Sequence, residues 1–187
     1  MLIVVKVIET GKKHVLVCRQ LRFPCGRSMV EVCAGTINIY SCFNVHLLNF
    51  VMRPLGMIDH NTKNVIGVVF NEVHQETGFT ITEESLLSLG SIRPSAGGCD
   101  EVIHLYAWEA EISQAEYDKK LANVYGEGSY ERIKLLFYDY DTFDNTLDEI
   151  GDAKAECCWR RYQRIVNKRD VRISTAANSS SSHSDGK

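Results

Sequence analysis

Residues 64–77 set Val65, Val68, Val69 and Val73 at near-helical spacing, and Gly78 stands where a C-terminal cap belongs. The spacing predicts a helix. Gly67 and the valines are poor helix formers, so packing must hold it, as in a buried scaffold helix. Around it lie stretches that alternate or run apolar in the manner of strands. Leu2–Ile8 is apolar and β-branched, Glu9–Lys13 is turn-like, and His14–Gln20 returns as a hairpin. Phe23–Gly26 reads as a loop and Met29–Cys33 as a short strand. Leu86–Ile92, Val102–Glu111 and Arg132–Tyr138 read as further strands. Ser113–Ala122 reads as a polar helix. Residues 152–166 read as a helix with Ala155, Cys158, Tyr162 and Ile165 on one face. Short strands mixed with about three helices predict an α+β fold, an α/β/α sandwich.

With 187 residues, one domain with a single sizeable core is expected. We place the domain at 1–167. From about Val171 the chain is rich in Ser, Asn and Ala, and 168–187 is expected to be a disordered tail. A net charge of -3 offers no basic excess for a nucleic-acid surface, so any phosphate must be met by a local cluster. No apolar run reaches the roughly 18 residues of a membrane span. Seven cysteines without a CxxC pair or zinc-like spacing are most simply thiols in a reducing compartment. A cytoplasmic location is expected, with an organelle left open.

The chemistry-bearing stretch is Asn71–Phe79. Glu72 and Glu76 are four apart, so on a helix their side chains stack on one face, and Gln75 shares that side. Taken alone, two glutamates at that spacing describe a solvated helix face. Held close within a site, they repel unless a cation lies between them, and oxygen donors of this kind suit Mg²⁺ or Mn²⁺.

These residues resemble the Nudix box. Glu72 falls on the glutamate of its Arg-Glu pair, Val73 on the apolar position, Gln75 and Glu76 on the Glu-Glu pair, and Gly78-Phe79 on its close. Gly56-Met-Ile-Asp59 resembles the start of the box, one residue further upstream than usual. That spacing is similar to the nucleoside-diphosphate-sugar pyrophosphatases, among them plant-type ADP-sugar diphosphatases and eukaryotic UDP-glucose pyrophosphatases. Gln20–Arg27, Val30–Gly35, Pro94–Glu101, Glu131–Lys134 and Asp152–Lys154 resemble further segments of that group in the same order.

The resemblance implies a Nudix-type α/β/α sandwich with a mixed sheet. It also implies Mg²⁺-dependent hydrolysis of the diphosphate of a substrate such as ADP-glucose or ADP-ribose, giving a nucleoside monophosphate and a sugar phosphate. It makes Glu72, Glu76 and Gln75, with the Gly56 carbonyl, the metal ligands, and gives Glu72 a catalytic part as well. Glu131 is the candidate base, with Glu127 second. Arg22, Arg27 and Glu31 are expected at the substrate. So are Gly97, Gly98, Asp100 and Glu101, where two glycines let backbone amides approach a ligand. The expected partner is a nucleoside-diphosphate sugar, with neither nucleic acid nor membrane. Relatives carry additional strands ahead of this point that often mediate dimerisation, so a homodimer stays open.

Three departures set this chain apart. Asn71 stands where the box has arginine, and Gln75 where it has glutamate, which removes one negative charge from the metal site. About twenty residues of apolar character overall, 36–55, are inserted between Gly35 and Gly56. They read as a retained intron or gene-model error, as a lid or dimer element, or as a core strand. The substitutions leave an alternative open, a catalytically weak module that binds nucleotide sugars without efficient turnover.

Overall fold

In the computed structural model, which describes residues 1–34, 65–99, 101–126 and 131–181, strand β1 (Leu2–Val7) is buried on both faces. Side chains at 65, 66, 68, 170, 171 and 173–181 lie outside that description, as do the insertion at 36–55 and Gly56. Successive strand residues point to opposite sides. Leu2 and Val4 therefore enter one core with Val15, Val17, Leu105, Trp159 and Tyr162. Ile3 and Val5 enter a second core with Leu16, Cys18, Val73, Phe79 and Ile133. Such double burial explains why β1 is apolar without alternation. Each fully buried Val, Leu or Ile contributes about 1.5–3 kcal/mol.

β1 lies at the centre of a seven-stranded mixed sheet. The other strands are β2 (Lys13–Arg22), β3 (Arg27–Glu31), β4 (Leu87–Ile92), β5 (Ile103–Ile112), β6 (Val124–Tyr125) and β7 (Ile133–Asp139). Their order is β4-β5-β1-β2-β7-β6, and β3 pairs with the far end of β2. β1 and β5 run parallel and the other pairs antiparallel. Helices α1 (Val65–Thr77) and α2 (Gln114–Ala122) contribute Val73 and Tyr117 to the second core. Helices α3 (Leu147–Ile150) and α4 (Ala153–Ser181) cover the first, α4 through Ala155, Cys158, Trp159 and Tyr162. The result is the expected α/β/α sandwich with a mixed sheet. Among the described residues no helix is long and apolar enough to cross a membrane.

α4 departs from expectation. It runs past residue 167, where the domain was placed, to Ser181, so most of the stretch expected to be disordered is drawn as helix. No Pro or Gly interrupts Ala153–Ser181, and helix propagation is easy once a packed segment has nucleated it. Residues 182–187 lie outside the described residues.

α1 ends as Gly78 foretold. Gly78 is left-handed at φ 67°, and its N–H donates to the His74 carbonyl at 2.8 Å. The buried Lys120 adds a cap that no local pattern announces. Its Nζ donates to the Thr77 carbonyl at 3.0 Å and lies 3.5 Å from the Phe79 ring centroid. Burial lowers the Lys120 pKa, so the ammonium is held against a desolvation cost. Lys120→Met leaves the Thr77 carbonyl without this donor and is expected to destabilise the fold by about 1–3 kcal/mol. Denaturant unfolding of the two proteins checks this; equal midpoints would contradict it.

His14 on β2 packs against Tyr117 and Phe137, with ring centroids 5.2 and 6.4 Å away. Its Nδ1 is buried and finds no hydrogen-bond partner among the described residues. Burial is the main cause of its lowered pKa. A lowered folded value means that the unfolded chain takes up the proton first as pH falls. The His14 contribution is thus complete above the unfolded value of about 6.5 and is lost as pH drops below it. Melting temperature should fall from pH 7.5 to 5.5 in the parent and fall less in His14→Phe. Parallel pH curves would contradict the assignment.

Candidate active site

The site lies on the α1 side of the sheet, and the β2–β3 register explains why. Cys18 faces the second core, and Glu31 is its cross-strand partner. Alternation then puts Cys18, Gln20 and Arg22 on one face of β2, opposite Glu31, Met29 and Arg27 on β3. Arg22 closes on Glu31 as a fork, with Nε to Oε1 at 2.6 Å and Nη2 to Oε2 at 3.1 Å. Arg27 sits opposite Arg22 and is exposed.

Glu31 has a second cation. Lys154 Nζ is 3.4 Å from Glu31 Oε2 and 3.0 Å from Asp152 Oδ1. Asp152 in turn accepts from the Lys154 and Val32 backbone N–H groups, at 3.0 and 3.1 Å, and so pins the start of α4 to the end of β3. Burial alone would raise the Glu31 pKa. Hydrogen bonding and charge from Arg22, with help from Lys154, outweigh it and hold the carboxyl below its ordinary value.

Glu76 is 2% exposed. Its Oε2 accepts from the Ala34 N–H at 3.1 Å, with Cys18 Sγ at 4.0 Å. Burial raises its pKa, and hydrogen bonds from Cys33 and Ala34 offset this only in part. One turn earlier Glu72 lines a cleft together with Cys33, Ala34, Val73, His104, Tyr106 and Lys154. Glu76 thus bonds to Ala34 beneath the surface, and Glu72 lines the cleft that Cys33 and Ala34 edge. Gln75 lines a separate hollow with Asn71 and His74. Asn71, in the box-arginine position, is exposed there.

Glu131 is near enough for its charge to act on both Arg22 and Glu76. Gly126 lies against it, and the Gly126 N–H donates to the Gln75 carbonyl of α1 at 3.1 Å. Gly126 has φ 106°, and a Cβ there would come 2.6 Å from the Glu131 carbonyl oxygen. Glu127 lies outside the described residues, as does Asp100. Gly97, Gly98 and Glu101 are exposed in the β4–β5 loop, which leads into the cleft residues Ile103 and His104. The Gly98 amide, expected to come close to a ligand, is engaged within the loop. It donates to the Ser95 carbonyl at 3.1 Å, closing a turn in which a Cβ would strike Ser95 Oγ at 2.7 Å.

Sequence reasoning thus named Arg22, Glu31, Glu72, Glu76 and Glu131, which the fold brings to one region. It passed over Lys154 as a site residue. The pattern Asp152-x-Lys154 at a helix start was the available signal. His104 also lines the cleft.

Among the described residues no group of three or more His, Cys, Asp or Glu side chains is gathered to hold a metal. The α1 donors are nevertheless all oxygen, and Glu76 is a carboxylate whose charge burial disfavours. That combination suits a hard divalent cation, which would offset the cost.

No family model matches the chain. "Nudix hydrolase 14, chloroplastic" of Arabidopsis thaliana is 21% identical over 140 residues, which cover 68% of this chain and 38% of the plant protein. The chain therefore matches well under half the length of that relative. Among solved structures, a C. elegans Ap4A hydrolase binary complex matches 89% of this chain and 94% of its own, at TM-score 0.48 and 12% identity. The chain is thus similar at low identity to one plant Nudix hydrolase, and its Glu72, Val73, Gln75 and Glu76 on α1, with Gly78 just past it, keep the order of the Nudix box.

Proposed function

We propose that the protein hydrolyses the diphosphate of a nucleoside-diphosphate sugar of the ADP-glucose or ADP-ribose type, with Mg²⁺ or Mn²⁺. The observation that carries this reading is Glu76 bonded to the Ala34 N–H one helical turn from Glu72, which lines the cleft edged by Cys33 and Ala34, with Arg22 and Glu131 near enough for their charges to act on or be acted on by Glu76. Glu72 and Glu76 would hold the ion with the Gly56 carbonyl, and Gln75 would join them only by turning from the hollow it lines with Asn71. When bound, the ion neutralises phosphate oxygens that otherwise repel a nucleophile.

The chain's own groups do the rest. Arg22, fixed through Nε and Nη2 by Glu31, turns its other edge to the diphosphate. Arg27 adds a second guanidinium from the facing strand. Glu131 takes a proton from the attacking water, which adds to one phosphorus as the bridging P–O bond breaks. Gly97, Gly98, Asp100 and Glu101 shape the far end of the substrate. The products are a nucleoside monophosphate and a sugar phosphate. Neither nucleic acid nor membrane takes part; the thiols suit a reducing cytoplasmic or organellar compartment, and a homodimer is compatible with the site.

A second reading is a module that binds nucleotide sugars with little turnover. It is favoured by Asn71, exposed where the box has arginine, and by the two hollows that separate Gln75 from Glu72. A panel of ADP- and UDP-sugars with Mg²⁺ or Mn²⁺, followed by AMP and UMP detection, separates the two. Hydrolysis supports the first. Binding without hydrolysis, with turnover gained in Asn71→Arg/Gln75→Glu, supports the second.

A further inference from the structure

We propose that Lys154 is a positioning residue of this site: it holds Glu31 in place so that Arg22 is presented to the substrate diphosphate. The inference rests on the function proposed above and adds to it a residue to which the box pattern gives no role.

Four charged groups form a chain from α4 to the β2–β3 hairpin. Asp152 is anchored at both oxygens, through the Val32 and Lys154 backbone N–H groups. Lys154 Nζ touches that anchored carboxylate at 3.0 Å and Glu31 at 3.4 Å. Glu31, 7% exposed, touches Arg22 through both oxygens. Lys154 also lines the cleft that contains Glu72. The ammonium is thus the link between a rigid helix start and the guanidinium expected to meet phosphate.

Its effect follows from charge sharing. Glu31 lies between two cations, and each weakens the hold of the other. Without the Lys154 charge, Glu31 keeps the Arg22 fork and pairs with it more tightly. A phosphate on the other edge of Arg22 then meets a guanidinium whose charge Glu31 neutralises more fully. Removing the charge should weaken substrate binding while affecting the bond-breaking step far less. Two alternatives are weaker on geometry. A Lys154 that only caps the helix would not need to reach Glu31. A Lys154 that only balances Asp152 would leave Arg22 insensitive to it.

The test is a double-mutant cycle read by binding and by kinetics. Dissociation constants for ADP-ribose are measured by calorimetry in EDTA for the parent, Lys154→Gln, Lys154→Arg, Glu31→Gln and Lys154→Gln/Glu31→Gln. KM and kcat are measured with Mg²⁺, and melting temperature is recorded for each. Lys154→Gln is expected to weaken ADP-ribose binding about tenfold, the lower end of what losing a supporting partner costs at a charged site. KM should rise in step, and Lys154→Arg should restore both. In the Glu31→Gln background the Lys154→Gln change should have little further effect, because its route to Arg22 is gone. Equal affinities for parent and Lys154→Gln, or full additivity in the cycle, overturn the proposal while leaving the function intact. A loss in Lys154→Gln that tracks melting temperature and is not restored by Lys154→Arg also overturns it. A parent that neither binds nor releases AMP from ADP-ribose, ADP-glucose or any other nucleotide sugar overturns the proposed function, and this inference with it.

Discussion

Glu76→Gln is expected to lower AMP release from ADP-ribose by about 10²–10³-fold, because a divalent ion supplies several kcal/mol of charge stabilisation and each 1.4 kcal/mol is tenfold in rate. The fold should survive the change. Glu76 is almost wholly buried, and burial disfavours its charged form. Glutamine matches its shape and keeps an oxygen for the Ala34 N–H. In EDTA the variant should therefore melt at or above the parent temperature. Adding Mg²⁺ should raise the parent melting point by ligand linkage and leave the variant nearly unmoved. Activity lost together with several degrees of melting temperature would point to a structural role. Unchanged activity would remove Glu76 from the site.

Gly126→Ala should cost about 10²-fold in kcat, the size expected when a catalytic group is displaced by about 1 Å. Two features of one residue combine here. Its φ of 106° lies where L side chains are strained, and a Cβ would stand 2.6 Å from the Glu131 carbonyl oxygen. The loop end must shift, and Glu131 moves with it. Because Gly126 also ties the segment to α1 through the Gln75 carbonyl, the disturbance is confined to the side of the site that carries the base. ADP-ribose binding, which the proposed function assigns to Arg22 and Glu31, should change far less than kcat. A variant with parental kcat would show that Glu131 is not the base, or that its placement does not matter.

Much of the scaffold was legible because burial leaves periodic traces. The double burial of β1 appears as an unbroken apolar run at Leu2–Val7, and the α4 face appears as Ala155, Cys158 and Tyr162. Gly78 announced the end of α1. The shortest elements left no such trace. Val124–Tyr125 is two residues long and Leu147–Ile150 a single turn, too short for any period to show. Within the site, Glu72 and Glu76 were visible as one helical turn, and Arg22 and Glu31 through resemblance. Lys120 and Lys154 were not, because their partners lie 43 and 123 residues away in the chain. A lysine that caps a distant helix looks, in sequence, like any lysine on a polar helix face. Gln75 shows the converse. Its spacing places it beside the two glutamates, but in the folded chain it lines a different hollow.

The most direct measurement is AMP formed when the purified full chain is incubated with ADP-ribose or ADP-glucose in excess Mg²⁺. The account predicts AMP and the matching sugar phosphate in equal amounts, suppressed by EDTA and by Glu76→Gln. No AMP from any nucleotide sugar with either Mg²⁺ or Mn²⁺ would contradict it.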